Sequence, residues 1–304
     1  MAEDVFRTVQ FPLQPMEPQS VPSLPAGNYL YQVKWDGFRW LAYHGPEGLV
    51  FQTKSGRSGH SWFPELPAGL GWLKPGSIVD GEVVCLQGGK PDFPSLLKRV
   101  RSGPGQVPQT SGQSGQTVEY VIFDLLFWQG EDFRPRPLQE RLELLAEIAL
   151  PGQYTQVIES FGDGNKLWSA TGEMGLEGIV AKEYSSPYRP GKDPAWQKIK
   201  HWQKGEFLVG GLKVKGGTIK AVCLGRPVGE DFIYVASVSG GLERLQGSLG
   251  GKRIEQVTAS PFTGEGPGRD PETEILWLRP KWRVKVRFLE WTPGGKLRHA
   301  QIEC

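Results

Sequence analysis

The chain has 304 residues, 38% hydrophobic and 22% charged, with a formal net charge of +2. That length suits one large domain or two smaller ones, and so small a net charge means that a nucleic-acid partner must be argued from where the basic residues lie. No apolar run approaches membrane-spanning length, and the N-terminus "MAEDVFRTVQFPLQP" lacks the basic and apolar regions of a secretion signal. The expected location is therefore the cytoplasm, with no membrane partner. Three widely spaced cysteines (Cys85, Cys223, Cys304) argue against a disulfide framework or a cysteine zinc site, and the four scattered histidines offer no metal-ligand spacing.

Residues 1–25 are rich in proline and read as an extended lead-in. From residue 28 the runs "YLYQVKW", "RWLAYH", "GLVFQT", "SIVDGEVVCL" and "VEYVIFDLLFW" alternate or are rich in β-formers, and they read as strands broken by glycine, proline and asparagine. Residues 101–117, "RSGPGQVPQTSGQSGQT", have little to bury and read as a mobile surface loop. The segment "PLQERLELLAEIAL" (137–150) is the clearest helix, with Leu138, Leu142 and Leu145 at helical spacing behind a proline start. A second helix is expected before "LEGIVAKEY", which returns to strand. Beyond residues 201–206 the texture becomes short strands and glycine turns, which predicts a small closed barrel of about a hundred residues and a boundary near 203.

Charged residues recur inside these strand patterns. "KWDGFR" places Lys34, Asp36, Gly37 and Arg39 directly after an apolar run. A lysine amine is a nucleophile once it loses its proton, which burial or neighbouring cations encourage. Arg39 has the planar fork to clamp a phosphate or ribose. "IVDGEVV" adds Glu82, "LEGIVAK" adds Glu177 and Lys182, and "WQKIK" adds Lys198 and Lys200 on one strand face. An isolated charge in such a position is expensive unless paired or used. For each motif taken alone, a solvated strand is as good an explanation. Together, two carboxylates and four lysines suit a pocket for a triphosphate and a divalent metal.

In this order the motifs resemble the covalent nucleotidyltransferase superfamily, most closely the ATP-dependent DNA ligases and, among them, the ligase module of bacterial end-joining ligases. Lys34, Asp36, Gly37 and Arg39 match the family's K-x-D-G-x-R motif. "TKSGR" aligns Lys54 with a family arginine, with Arg57 as a nearby substitute. "DGE" supplies Glu82, "FDLL" Phe123, "EGIVAK" Glu177 and Lys182, and "KIK" Lys198 and Lys200. "FPEL", "DFPSLLKR", "PLQER" and "FLEWTPGGKLRHA" match as well, so the likeness runs from about residue 15 to 300.

The resemblance implies an α+β fold. A nucleotidyltransferase (adenylation) domain of antiparallel sheets and helices would span 26–202, behind the lead-in of 1–25. An oligonucleotide-binding (OB-fold) barrel would span 203–304. It also implies a DNA ligase that seals nicks through AMP carried covalently on Lys34, using ATP and Mg²⁺ or Mn²⁺. Gln32, Val33, Arg39, Lys54, Glu82, Phe123, Glu177, Lys182, Lys198 and Lys200 would bind nucleotide, with Phe123 stacked on adenine. Glu82 and Glu177 would position the metal. The implied partners are nicked double-stranded DNA and a DNA end-binding factor, for a monomer acting in repair or end joining on the bacterial nucleoid. Two departures matter. The family commonly has Glu where this chain has Gln32, whose amide oxygen is still an acceptor for the adenine amino group. The family's last motif, R-x-D-K, follows "LRHA" within a dozen residues, whereas this sequence stops at "QIEC". The expectation is a substitute in cis or trans, or a shortened sequence.

In "LRPKWRVKVRFLEW", Arg279, Lys281, Arg283, Lys285 and Arg287 occupy every second position. One strand would carry all five on one face, and a DNA backbone is the natural anion for such a row. An RNA ligase or capping guanylyltransferase shares the nucleophile motif, but "EWTPGGKLRHA" favours a DNA ligase. Two readings remain beside it: a DNA-binding end-joining scaffold, and a ligase that seals pre-adenylylated nicks but charges itself poorly.

Overall fold

The computed structural model describes residues 11–58, 62–103, 116–150, 152–245, 255–268 and 270–303. Most of the segment read as a mobile loop, residues 104–115, lies outside them. Contacts divide the chain into one unit up to Lys200 and a second from His201.

The first unit is built on two sheets. The larger runs in the order Gly48–Thr53, Phe38–Gly45, Ser77–Gln87, Gln116–Trp128 and Glu131–Asp132. Its central ladders are antiparallel, and the short strand Thr155–Val157 joins Gln116–Trp128 in parallel. The smaller sheet has the order Met16–Ser20, Gly191–Lys200, Gly178–Glu183, Tyr29–Val33. The segment read as a lead-in thus supplies an edge strand, Met16–Ser20, paired in parallel with Gly191–Lys200.

Three α-helices lie among these strands in the described residues. Asp92 caps Phe93–Arg101 by accepting from Ser95 N at 3.1 Å, and three basic residues in its last turn complement the helix dipole. Asp163 caps Gly164–Glu173 by accepting from Asn165 N and Lys166 N. The helix expected over 137–150 spans Leu138–Ile148 and buries Leu138 and Leu145. Its buried stripe also holds Arg141, fully enclosed, which a count of apolar spacing does not reveal. Met16, Tyr188, Ala195 and Trp196 of the smaller sheet and its flanking loop share one buried cluster with Leu41, Ile78, Leu126 and Phe127 of the larger. The two sheets meet there.

The second unit is a small barrel with the strand order Asp231–Val238, Thr218–Val228, Gln203–Lys215, Arg283–Phe288, Gln301–Glu303. Glu274–Trp277 pairs with the long central strand. Among the described residues the two edges meet through one parallel bridge, Gly240 to Gln301, with Ile302 N donating to Gly240 O at 2.9 Å. Closure comes from this bridge rather than from a full ladder. Val209, Val222, Leu224, Val235, Val286 and Ile302 fill the interior.

Candidate active site

The strand Tyr29–Val33 ends one residue before Lys34, whose backbone N donates to Gly178 O at 2.9 Å. The Asp36-Gly37 pair that follows is pressed against the strand Ser77–Gln87. A Cβ placed on Gly37 would stand 2.1 Å from Val83 O and 3.0 Å from Glu82 Cγ. Backbone oxygen fills the space a side chain needs, so glycine is required by close approach. The chain then re-enters the sheet with Arg39 directly opposite Glu82.

Glu177 lies just ahead of the strand Gly178–Glu183 rather than within it, as the sequence reading had placed it. Gly178 there has φ 149°, and a Cβ would meet Ile199 O at 2.0 Å. Glu177 thereby faces two lysines. Its Oε2 accepts from Lys34 Nζ at 2.5 Å, and its Oε1 pairs with Lys200 Nζ at 2.7 Å. Burial disfavours the charged Glu177 carboxylate, but Lys34 and Lys200 outweigh that and hold its pKa below the usual glutamate value.

Lys34 opens on a cavity of about 190 Å³ at the junction of the two sheets. Gln32, Val33, Arg39, Lys54, Glu82, Phe123, Lys182 and Lys198 line it, together with Glu17, Trp35 and Trp196. Lys54 is a wall residue, whereas Arg57 is exposed and its contacts run through its backbone to Thr53. Gln32 is 1% exposed and donates through Nε2 to Ser160 Oγ at 2.9 Å.

Behind the wall lies a buried polar network. Asp80, fully enclosed, accepts from Arg39 at 2.9 and 2.5 Å and from the Tyr188 hydroxyl at 2.6 Å. Tyr188 in turn accepts from Met16 N at 3.0 Å. Burial works against the Arg39 charge, but Asp80 more than offsets it, so the guanidinium holds its proton more tightly than usual. A second enclosed carboxylate, Asp124, takes a two-pronged bond from Arg141 at 2.7 and 2.9 Å.

Lys182 is 2% exposed, donates to Phe123 O at 3.1 Å, and lies 4.4 Å from the Phe123 ring centre and 3.9 Å from that of Trp196. Burial pulls its pKa down to about 7, with Asp124 opposing and Arg39 adding to the fall. Glu82 moves the other way. Burial pushes it up to about 7 against the pull of Lys34 and Arg39, and Asp80 and Glu177 add to the rise. The pocket therefore sets an acid and a base whose pKa values converge.

Among the described residues no cluster of three or more His, Cys, Asp or Glu stands ready for a metal. Mg²⁺ in phosphoryl-transfer sites is held by one or two carboxylates together with substrate phosphates. Glu82 is a carboxylate of the cavity wall, and the charge of Glu177 acts on it.

The basic row of the second unit needs correction. The strand starts at Arg283, because Arg279 and Lys281 fall in the turn before it and both pair with Glu255, at 2.9 and 3.1 Å. Arg283, Lys285 and Arg287 do share the outward face, alternating with buried Val284, Val286 and Phe288. Arg283 lies 3.4 Å from Glu206, and Arg287 is held by Gln301 at 2.8 Å and lies 4.7 Å from the Trp202 ring centre.

Spacing had not nominated Glu17, Trp196, Asp80, Tyr188, Asp124 or Arg141. Asp80 and Trp196 each sit two residues before a motif residue, on the same strand face as Glu82 and Lys198 respectively, and that periodicity was the available signal. Tyr188 and Arg141 reach the site only through tertiary packing.

Residues 17–200 match the family described as "ATP dependent DNA ligase domain", and residues 215–304 match "ATP dependent DNA ligase C terminal region". The chain is 31% identical over 290 residues to the multifunctional non-homologous end joining DNA repair protein LigD of Mycobacterium tuberculosis, covering 92% of this chain and 36% of that protein. It is 30% identical over 295 residues to the multifunctional non-homologous end joining protein LigD of Pseudomonas aeruginosa, covering 91% and 33%. The chain spans about a third of the length of these curated relatives. Among solved structures, mycobacterial DNA ligase D complexed with ATP and MES matches with a TM-score of 0.55 at 29% identity, over 97% of this chain and 95% of that one. A structure from work on Lig E DNA ligases matches in fold, with a TM-score of 0.61 at 16% identity over 94% and 98%. The chain belongs to the ATP-dependent DNA ligase family, a nucleotidyltransferase domain followed by a C-terminal OB-fold domain.

Proposed function

We propose that the chain seals nicks in double-stranded DNA in three steps, the first two of which pass AMP through Lys34. The lone pair of Lys34 Nζ attacks the α-phosphorus of ATP, a P–N bond forms, and the α–β P–O bond breaks to release pyrophosphate. A 5′-phosphate at the nick takes the AMP from Lys34, restoring the free amine. A 3′-hydroxyl then attacks that phosphorus and expels AMP. The observation that carries this reading is Glu177 Oε2 at 2.5 Å from Lys34 Nζ, where Lys34 opens on a cavity that Arg39, Lys54, Lys182 and Lys198 also line. Glu177 is placed to accept the proton that Nζ must lose before it attacks.

Arg39, held by Asp80, and Lys182, Lys198 and Lys200 offset phosphate and ribose charge, and Phe123 offers its ring to the base. Gln32 commits its NH₂ group to Ser160, which leaves its carbonyl oxygen to accept from the adenine amino group. Glu82 and Glu177 would hold Mg²⁺ or Mn²⁺, which supplies Lewis-acid stabilisation of the phosphates when bound. Arg283, Lys285 and Arg287 provide cations for the DNA backbone. The relatives' names support a role in DNA end joining; this reading adds a monomer in the bacterial cytoplasm, on the nucleoid, acting with a DNA end-binding factor.

Intact mass after incubation with ATP and Mg²⁺ tests the reading. A gain of one AMP that vanishes in Lys34→Ala supports it. No adduct, with sealing of pre-adenylylated nicks retained, would restrict the activity to the final step. Neither activity would leave a DNA-binding scaffold.

A further inference from the structure

Glu17 sits in the phosphate pocket with no role in the chemistry above. It comes from the edge strand Met16–Ser20, whose neighbouring Met16 is buried and tied to Tyr188. Side chains alternate along a strand, so Glu17 points the other way, into the cavity wall. Its Oε2 lies 2.7 Å from Lys54 Nζ, and its charge also favours the protonated form of Lys198. Other cations at or beside the pocket have partners elsewhere: Lys34 and Lys200 in Glu177, Arg39 in Asp80, and Lys182 in Phe123 O and two aromatic rings. Lys54 and Lys198 are thus the lysines of this wall faced by Glu17.

A carboxylate there is a liability for an enzyme that must bind phosphate, because like charges repel. The side chains of Lys54 and Glu17 are 57% and 24% exposed, so their attachment is weak. Phosphate makes stronger charge-assisted bonds to a lysine and displaces such a partner readily.

We propose that Glu17 is an affinity-setting residue of the phosphate pocket: it occupies Lys54 at rest and competes with the phosphate of the incoming substrate. The proposal rests on the ligase reading for which phosphate arrives, either the polyphosphate tail of ATP or the 5′-phosphate of a nick. Competition lowers the pocket's affinity for phosphate, which also favours departure of a phosphate-bearing product. A purely structural Glu17, tying the edge strand to the Lys54 turn, would have the opposite signature, since its loss would loosen the pocket.

Calorimetric titration of wild type, Glu17→Gln, Lys54→Gln and the double variant separates the two. The probes are α,β-methylene-ATP, which is not cleaved at the α–β bond, and a nicked duplex carrying either a 5′-phosphate or a 5′-hydroxyl. Glu17→Gln is expected to bind tighter by about two- to fivefold, the range set by an exposed ion pair. The gain should shrink in high salt, Glu17→Asp should behave like wild type, and most of the gain should disappear in the Lys54→Gln background. A gain with the analogue alone assigns the competing phosphate to ATP, and a gain confined to the 5′-phosphate nick assigns it to DNA. Unchanged or weaker binding of both probes overturns the proposal, as does an equal gain on the 5′-hydroxyl nick. The uncleavable analogue keeps this test apart from the ligase reading, which fails separately if wild type takes no AMP on Lys34.

Discussion

Asp80→Asn is the most informative single change, because it removes one charge and little volume from behind the pocket. Asp80 is fully enclosed and receives three hydrogen bonds, two from Arg39 and one from Tyr188. Removing one partner of a buried ion pair costs roughly 3–5 kcal/mol, mostly by stranding the other charge. Arg39 keeps 13% of its side chain in contact with solvent and retains the Phe123 ring at 4.8 Å, which places the expected loss at the lower end, about 3 kcal/mol. Denaturant titration of wild type, Asp80→Asn, Arg39→Gln and the double variant gives the coupling between the two residues, expected at about 2 kcal/mol. In parallel, the rate of AMP adduct formation in Asp80→Asn should fall with a raised KM for ATP, since Arg39 is no longer held in place. A stability loss under about 1 kcal/mol, or strict additivity of the two substitutions, would refute the reasoning that Asp80 positions Arg39 through a dry ion pair.

Three further outcomes follow from other parts of the structure. Gly37→Ala drives a Cβ to 2.1 Å from Val83 O, so it should destabilise by about 2–3 kcal/mol and abolish adduct formation, whereas Gly71→Ala, which meets nothing within 4 Å, should be near neutral in the same denaturant titration. Glu82 has its folded pKa raised from 4.5 to about 7, so it loses its charge as pH falls through about 7. Adduct formation should decline below that pH, and Glu82→Gln should lose that limb of the pH–rate profile. The folded state holds this proton more tightly than the unfolded one, so Glu82's share of stability is full below about pH 4.5 and is lost as pH rises through about 7, readable from denaturation midpoints across that window. Replacing Arg283, Lys285 and Arg287 together with Gln should reduce the salt slope of nicked-DNA binding by about two to three, while Arg279→Gln and Lys281→Gln, each paired with Glu255, should change it by less than one. Equal changes from both sets would remove the distinction drawn between strand and turn cations.

Much of this protein was determined by its sequence alone. Local periodicity placed the helix Leu138–Ile148 and the alternation of Arg283–Phe288, because a helix face and a strand face repeat with short, fixed periods. Motif chemistry nominated Lys34, Glu82, Lys182 and Lys198, because charge inside an apolar strand is costly unless it is used, and all four line one cavity. Tertiary structure alone decided the rest. Whether Arg141 was a solvated helix residue or the partner of Asp124 depended on a contact seventeen positions distant, and the link from Met16 through Tyr188 to Asp80 joins three separate stretches of chain. The motif contains Gly37 in sequence, but what demands glycine there is Val83 O from another strand. Glu17 belonged to what read as an extended lead-in until parallel pairing with Gly191–Lys200 carried it to the cavity wall beside Lys54. Spacing reports which faces a segment has. Only packing reports what each face meets, because burial, ion pairing and pKa shifts are set by neighbours that the chain brings together from afar.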